Sequence, residues 1–421
     1  MYWSIVISND SEKKPLNHCK NIKKRVLLHK NLSYFFPFMN IAFFTDTYSP
    51  QINGVVTSIQ IFSKELKKMG HNVYIFAPAF TTKRKRHDPK NVYRFPSAKV
   101  LFHPESRISL PYSRTLAKFQ ELEIDIIHSH TPFTIGLLAL YLAKKHHIPL
   151  IHTYHTLYIE YTHYLPVHSD YLKNFAVWVS KSYCNTNNVV IAPSKAIKKE
   201  LTSYNITSPI LTIPTGIDCI KPHAATIRAI KKKYAIKDNL TYLITVSRLG
   251  KEKNITFLLH SFAKLIETHP KTRLIIVGDG PEKKLLQELA KKLGISRKII
   301  FTGYIERRHI FALLSLAKVF VFASKTETQG LVLLEAMAMK IPVVAVNGMG
   351  VCDVLAGNTG GYLTKETKKS FVSHVVTLLN NKTLYNKKVK EAAEKAQQLS
   401  AKNMTSLLLD AYKDQILHHK K

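Results

Sequence analysis

Two glutamates separated by seven residues lie in the segment SKTETQGLVLLEAM, which spans residues 324–337. The apolar pattern that follows Gln329 and Gly330 predicts a helix that carries the second glutamate, Glu335. The first turn of a helix presents unpaired N–H groups and a positive dipole end to an anionic ligand. Carboxylates such as those of Glu327 and Glu335 can accept hydrogen bonds from vicinal sugar hydroxyls. The segment therefore fits a nucleotide sugar, although an ordinary amphipathic helix with a capping acid would show a similar pattern.

Two further segments carry groups that suit a diphosphate. In SRLGKEKN, at residues 247–254, Arg248 and Lys253 follow a predicted strand. A guanidinium can hold a pyrophosphate by its fork, and an ammonium acts as a point charge. The glycine turn VGDGP, at residues 277–281, lets a base or ribose approach the backbone at another strand end. Each feature alone is common in a basic protein, but three strand ends of one sheet with compatible groups favour a single site.

The elements that must position these groups alternate along the chain. The apolar run NIAFFT at residues 40–45 is followed by a loop, a helical pattern up to Lys68, a stop signal at Gly70 and a second apolar run at residues 73–77. This order is typical of a βαβ unit. The alternation of predicted strands and helices is interrupted at residues 214–222, which hold two prolines and a glycine, and it resumes after them. We therefore predict an α/β protein with two Rossmann-like doubly wound domains that face each other across a cleft.

Composition limits the classes of function. The chain has 421 residues, which suits two domains, and 62 Lys and Arg against 28 Asp and Glu give a net charge of +34. Such a charge indicates an anionic partner, which could be nucleic acid, an acidic lipid surface or a phosphorylated ligand, unless it reflects a lysine-rich proteome. The four cysteines are scattered, which favours a reducing, cytosolic compartment without a structural metal. No apolar run approaches the roughly 18–20 residues that span a bilayer.

The segments SRLGKEKN, VGDGP and ETQGLVLLEAM together resemble the family 4 retaining glycosyltransferases, which have the GT-B fold. The resemblance extends from Met39 to about Gly361. It implies a hexosyltransferase that needs no metal and no other cofactor, because two cations stabilise the leaving diphosphate. The chain has no Asp-x-Asp motif. The residues that the resemblance places at the donor are Arg248 and Lys253 on the diphosphate, Gly280 at the base or ribose, Glu335 on the ribose, and Glu327 near the hexose with the amides of Gly330 and Leu331.

Segments in the first half of the chain resemble one subgroup of this family. The segments DTYSPQINGVV (46–56), YRFPSAKVLFHPESRISLP (93–111), HTYHTLYIEYTHY (152–164) and IPTGID (213–218) are similar to the bacterial 1,2-diacylglycerol 3-glucosyltransferases. By that similarity Gly54 lets the backbone approach the diphosphate, and His155 is a catalytic residue beside the donor hexose, as is Glu327. The acceptor side would hold His128, His130 and Glu160. The family usually has acidic residues directly after HTLY, whereas Ile159 intervenes here.

This likeness implies UDP-glucose as the donor, 1,2-diacylglycerol as the acceptor and an α-linked product. It gives the chain an acceptor-binding domain at residues 39–213, an interdomain linker at 214–224 and a nucleotide-sugar-binding domain at 225–399. Residues 400–421 would form a C-terminal helix that packs back on the first domain. Residues 1–38 would be a basic appendage, either disordered or the product of an upstream mis-start.

Two segments bear on a membrane. KRKR at residues 83–86 fits either a solvated loop or a patch that adsorbs to anionic lipid. YLKNFAVWVSKSY at residues 171–183 fits either an interfacial amphipathic helix or a core helix whose lysines reach the solvent. With a lipid acceptor, the enzyme would be a peripheral protein on the inner face of the cytoplasmic membrane.

Three other functions remain open at this point. A family 4 enzyme could act on lipopolysaccharide, capsule or another glycan instead of a lipid. A nucleic-acid-binding protein is supported by the charge alone, since no recognised module or aromatic platform is visible, and we expect no nucleic-acid partner. A sugar-nucleotide binder without catalysis is disfavoured because Arg248, Lys253, Glu327 and Glu335 all occur together.

Overall fold

The computed structural model describes residues 38–80, 88–100, 103–110, 114–157, 159, 170–218 and 220–419. Residues 1–37 of the basic appendage predicted at residues 1–38, and the basic segment at residues 83–86, lie outside this part of the chain, as do Glu160, Cys19 and Cys219. The described residues form two α/β units, each built on a parallel sheet. The predicted pair of doubly wound domains is confirmed.

The strands of the first domain are, in chain order, β1 (Asn40–Phe44), β2 (Asn72–Pro78), β3 (Val92–Phe95), β4 (Ser97–Val100), β5 (His103–Ser109), β6 (Ile126–Ser129), β7 (Leu150–Thr153), β8 (Val189–Ala192) and β9 (Ile210–Thr212). Seven of them form one parallel sheet in the order β3-β2-β1-β6-β7-β8-β9, and β4 and β5 form an antiparallel hairpin. The order turns back at β1, so the loops after β1 and β6 open a crevice at the carboxyl edge of the sheet.

Between residues 38 and 213, the described ranges hold five helices that belong to this domain: α1 (Gly54–Lys68), α2 (Arg114–Gln120), α3 (Thr134–His146), α4 (Asp170–Cys184) and α5 (Lys195–Ser203). The start of α1 is fixed by Asn53, whose side chain accepts a hydrogen bond from the N–H of Val56 at 3.0 Å. Ile59, Phe62 and Leu66 recur at helical spacing and are buried against β1 and β2.

The second domain contains β10 (Thr241–Val246), β11 (Thr272–Val277), β12 (Ile299–Gly303), β13 (Val319–Phe322), β14 (Val343–Val346) and β15 (Gly361–Thr364). Their order in the sheet is β12-β11-β10-β13-β14-β15. The helices are α6 (Ala224–Lys233), α7 (Ile255–Thr268), α8 (Lys283–Lys292), α9 (Arg307–Leu314), α10 (Leu331–Ala338), α11 (Met349–Val354), α12 (Lys368–Asn380) and α13 (Lys382–Gln398). Because the order turns back between β10 and β13, a ligand crevice is again expected at their carboxyl ends.

The last helix, α14 (Ala401–His419), belongs to the core of the first domain although it follows the second in sequence. Its apolar face is buried with residues of β1 and α1, and the contributing side chains are Met404, Leu408, Ala411, Tyr412 and Ile416. Among the described residues, no helix combines the length and the apolar composition that crossing a bilayer requires.

The chain returns to the first domain beside Gly216. The N–H of Ile217 donates to the carbonyl of Leu399 at 3.0 Å, and the N–H of Ala401 donates to the carbonyl of Ile217 at 2.9 Å. A Cβ on Gly216 would lie 2.5 Å from the Cα of Ala401. Only glycine permits this approach of two backbones, so the crossing depends on the residue type at position 216.

We therefore expect Gly216→Ala to destabilise the protein. The added methyl group must push α13 and α14 away from the linker, which costs about 1–3 kcal/mol. The measurement is the midpoint of urea denaturation. The control is Gly54→Ala, where a Cβ would meet nothing within 4 Å and stability should not fall. Equal midpoints for the Gly216 variant and the parent would show that the crossing does not require glycine at position 216.

Candidate active site

The strand ends singled out in the sequence meet in one crevice of the second domain. The loops after β10, β11 and β13 carry residues 247–254, 278–281 and 324–330, and these three strands are neighbours in the sheet. The first domain contacts the same place, because the hydroxyl of Thr328 donates to the carbonyl of His155 at 3.0 Å. His155 follows β7. The two halves of the predicted site therefore face each other across the domain interface.

The loop that carries Glu327 is held rigidly by its neighbours. The start of α11 lies so close that a Cβ on Gly350 would be 2.5 Å from the N of Gln329. The N–H of Gly350 also donates to the carbonyl of Glu327 at 2.7 Å. Gly330 then adopts a left-handed conformation with φ 78°, which ends the loop and starts α10. The amides of Gly330 and Leu331 thus lie at the first turn of a helix, where an anion can bind.

Lys253 and Glu327 form an ion pair within the crevice. Lys253 Nζ lies 2.6 Å from Glu327 Oε1, and the side chains are 16% and 23% exposed. Arg248, on the same segment as Lys253, is exposed at the end of β10. Partial burial makes the pair stronger than one on an open surface. A diphosphate entering the crevice would offer Lys253 a second anionic partner beside Glu327.

The glycine turn after β11 has a packing role in the structure. A Cβ on Gly280 would lie 2.5 Å from the carbonyl oxygen of Leu249, and one on Gly278 would lie 1.9 Å from that of Ser247. The two glycines thus allow this turn to pack directly against the backbone of Ser247 and Leu249, on either side of Arg248. The predicted contact of Gly280 with a ligand stays a prediction.

Glu335 has a cationic partner that the sequence analysis missed. Its Oε1 accepts a hydrogen bond from Arg307 at 2.5 Å, with the two side chains 13% and 33% exposed. Burial raises the pKa of Glu335, and the guanidinium of Arg307 opposes that rise. Arg307 begins α9 just beyond β12, so the segment YIERR offered the same signal as the other strand ends, namely a cation at the carboxyl end of a strand.

The predicted histidines form one cluster at the carboxyl ends of β6 and β7. His130 Nδ1 lies 3.0 Å from His155 Nε2. His128 is fully buried, and its ring nitrogens contact the Tyr412 hydroxyl at 2.6 Å and the Thr153 hydroxyl at 2.7 Å. His128 therefore lies inside the first domain, and both of its ring nitrogens are occupied by protein hydroxyls. It cannot contact the acceptor substrate, so the place on the acceptor side that the resemblance implies for it is wrong. His130 is also buried, at 1% exposure, whereas His155 is only partly buried.

Burial keeps these histidines neutral. It lowers the pKa of His155 to about 3, and it lowers the pKa of His128 and of His130 well below the ordinary value. Desolvation disfavours the imidazolium, and the neighbouring rings add to the effect. His155 thus meets the crevice as an uncharged group that can form hydrogen bonds.

Asp46 is a second residue that the sequence analysis did not single out by itself. It is buried, and its carboxylate accepts hydrogen bonds from the hydroxyls of Thr131 and Thr134, each at 2.7 Å, and from the N–H of Ile135 at 2.9 Å. It therefore ties the loop after β1 to the first turn of α3. Gly54, further along that loop, opens α1 and has free space beside its Cα.

Comparison with known proteins agrees with this geometry. The family model described as "Glycosyltransferase Family 4" matches residues 52–221, and the model "Glycosyl transferases group 1" matches residues 226–398. An alpha-monoglucosyldiacylglycerol synthase of Streptococcus pneumoniae is 35% identical over 73% of this chain and 71% of its own length. One from Acholeplasma laidlawii is 31% identical over 88% of this chain and 97% of its own length.

This chain is a member of glycosyltransferase family 4. As a family 4 enzyme it is a hexosyltransferase, and its two facing domains have the GT-B fold. A sucrose-phosphate synthase from Thermosynechococcus elongatus superposes with a TM-score of 0.70 at 19% identity, covering 89% of this chain and 98% of that one. Anabaena HepE, in a complex with UDP and glucose, gives a TM-score of 0.70 at 20% identity, covering 89% and 100%.

The ion pair of Glu335 leads to a prediction for the family 4 donor site. In Arg307→Ala, the carboxylate of Glu335 loses the cation that opposes its desolvation, so its pKa should rise and a growing fraction should be protonated as the pH falls. The resemblance implies that Glu335 binds the ribose of a UDP-sugar. On that expectation a protonated carboxyl accepts the ribose hydroxyl less well, so UDP should bind about 10-fold more weakly, a loss of about 1.5 kcal/mol. The weakening should increase as the pH falls.

Titration calorimetry with UDP at several pH values measures this effect. The matched control is Arg308→Ala, because Arg308 is the next residue, is 68% exposed and pairs with Glu306. The control should bind UDP as the parent does at every pH. An Arg307 variant with unchanged affinity and unchanged pH dependence would remove both Arg307 and Glu335 from the nucleotide site.

Proposed function

We propose that this family 4 enzyme transfers glucose from UDP-glucose to a 1,2-diacylglycerol-like lipid with retention of configuration and without a metal ion. The observation that carries the proposal is the contact between the donor residues of the second domain and His155 of the first domain. Lys253 and Glu327 on the second domain lie next to Thr328, whose hydroxyl reaches His155 on the first. The names of the Streptococcus and Acholeplasma relatives support a lipid acceptor.

The donor half suits a nucleoside diphosphate sugar. Arg248 and Lys253 can neutralise two phosphates, and the helix start at Gly330 adds N–H donors. Arg307 holds Glu335 by one carboxylate oxygen, so the other oxygen can accept a ribose hydroxyl. These fixed positive groups are suited to stabilise the charge that develops on the leaving diphosphate, which is the work a metal ion does in other enzymes.

The first domain supplies a face that suits a lipid surface. On α4, Tyr171, Phe175 and Trp178 recur at helical spacing and are 86%, 60% and 61% exposed, so they do not belong to a core. Phe133, directly before α3, forms a second exposed row with Leu137 and Tyr141 on that helix. The hydroxyl of Tyr183 on α4 donates to the carbonyl of Gly136 on α3 at 3.0 Å, so the two helices are in contact. Exposed apolar rows on adjacent helices are typical of proteins that insert into one leaflet.

The first experiment identifies the reaction. The purified protein is incubated with radiolabelled nucleotide sugars and mixed vesicles that contain diacylglycerol, and the product is characterised. We expect label from UDP-glucose in a glucosyl-diacylglycerol that an α-glucosidase cleaves, with undiminished activity in EDTA. Arg248→Lys should be poorly active, because an ammonium cannot reproduce the forked contact with a diphosphate.

Several outcomes would contradict the proposal. Transfer only to a glycan acceptor would show that the lipid assignment is wrong, while the donor half could stand. Loss of activity in EDTA with rescue by Mg²⁺ or Mn²⁺ would show that the cations of the site do not replace a metal. A product that only a β-glucosidase cleaves would exclude retention.

The second experiment tests the lipid-facing rows. Phe175→Ala combined with Trp178→Ala should weaken binding to neutral phosphatidylcholine vesicles by about 2–3 kcal/mol, or roughly 30- to 150-fold, because two inserted aromatic side chains are lost. Added salt should not change this difference, since it is apolar in origin. Vesicle flotation gives the partition coefficient.

The matched control removes two exposed leucines elsewhere. Leu285→Ala with Leu407→Ala deletes side chains that are 58% and 47% exposed on α8 and α14, and it should float as the parent does. Equal flotation of the aromatic double variant and the parent would place the membrane contact elsewhere. Activity on a short-chain, soluble diacylglycerol should survive in both double variants.

A further inference from the structure

The histidine cluster contains one hydrogen bond whose direction the structure decides. His130 Nδ1 and His155 Nε2 are 3.0 Å apart, and the two rings lie with centroids 5.3 Å apart at an interplanar angle of 22°. Burial lowers the pKa of both rings, so each is a neutral imidazole with one N–H and one bare nitrogen. One of the two rings must therefore donate and the other must accept.

The other nitrogen of His130 distinguishes the two arrangements. Within the described part of the chain, His130 Nε2 is buried and has no hydrogen-bond partner. If His155 donated, His130 would have to carry its proton on Nε2, which would leave a buried N–H without an acceptor. If His130 donates from Nδ1, its Nε2 is a bare acceptor. Orphaned buried N–H groups are rarer in proteins than under-satisfied acceptors, so the second arrangement is favoured.

The surroundings hold His130 in this orientation. Its ring stacks on that of His128 with centroids 4.2 Å apart, and it forms a T-shaped pair with the ring of Phe43 at a centroid separation of 4.9 Å. His128 is in turn fixed by its bonds to Tyr412 and Thr153. Because the rings of His128 and Phe43 pack on it, the His130 ring cannot turn over without displacing one of them, so its donor nitrogen keeps its direction.

We propose that His130 is a positioning residue that donates from Nδ1 to His155 Nε2 and thereby fixes His155 as the tautomer with its proton on Nδ1. His155 then presents an N–H donor to the crevice. In the part of the chain that the structure describes, no hydrogen bond reaches this nitrogen. The ligand that fits it is an oxygen acceptor, and this step rests on the proposed function, which places a hydroxyl oxygen of the donor hexose there. Since Nδ1 already carries its proton, His155 does not act as a general base at this atom.

The test begins with the tautomer. Nitrogen NMR of the full-length protein with ¹⁵N-labelled histidine separates protonated from bare ring nitrogens, and His155→Asn assigns the signals of His155. We expect a protonated Nδ1 and a bare Nε2. His152 offers a second imidazole for comparison, because its Nδ1 lies 3.1 Å from the carbonyl oxygen of Ser129, which can only accept, and 2.9 Å from the Ser129 hydroxyl, which can donate or accept. A protonated Nε2 on His155 would overturn the proposal.

Variants of His130 then separate hydrogen bonding from packing. In His130→Asn the amide nitrogen reaches the place of Nδ1, so the tautomer of His155 and most of the activity should remain. His130→Gln puts its amide where Nε2 was, and His130→Leu has no donor. Both should lower kcat/KM for glucose transfer by about 10- to 100-fold, the loss of one oriented hydrogen bond. UDP should bind all three variants as it binds the parent, since UDP lacks the hexose.

The two levels of the proposal fail in different ways. If His155 has the expected tautomer but the protein does not use UDP-glucose, the proposed function is wrong and the role of His130 stands. If transfer occurs and His130→Leu is as active as His130→Asn, the role of His130 is wrong and the proposed function stands. Should His130→Leu not fold, the tautomer of the parent protein still decides.

Discussion

The arrangement of this enzyme depends on one buried amide. Gln329 is 5% exposed, and its side chain pairs with both polar groups of the Thr215 backbone, accepting from the N–H at 2.8 Å and donating to the carbonyl at 2.7 Å. The hydroxyl of Thr215 also meets that of Ser58 on α1 at 2.8 Å. Gln329 lies between Glu327 and Gly330, so this pairing sets how the donor loop approaches the first domain. Losing the amide would leave two buried backbone groups without partners, which is costly.

The strands that could be predicted are those whose side chains are buried on both faces. The strands β1, β10, β13 and β14 consist mostly of apolar residues, and nearly all of their residues are buried. The strands that were missed lie at sheet edges or in the hairpin. β3 contains an arginine, and three of its four residues are half-exposed. β15 begins with a glycine, so neither strand shows a clear periodicity.

The charged half of the site followed from sequence because parallel strands bring their carboxyl ends to one edge. The sequence could not predict which of the charged side chains at that edge contact each other. Whether Glu335 contacts Arg307, and Lys253 contacts Glu327, depends on how four separate segments approach one another, which the local sequence does not define. The histidines show the same limit. His128 and His130 are two residues apart at the end of β6 and so share one face, but the sequence does not say that α14 covers that face.

Four neutral imidazoles lie in the first domain, three of them buried and that of His155 partly buried, and their contribution to stability depends on pH. Burial lowers the pKa of His152 to about 3, whereas an unfolded chain would titrate near 6.5, so the unfolded state binds the extra proton between these values. The stability that His152 lends is complete above the unfolded pKa and is lost as the pH falls, by about 2 kcal/mol at pH 5. His128, His130 and His155 shift in the same direction. The proton thus acts as a ligand of the unfolded first domain, and acidification should loosen this domain before the second.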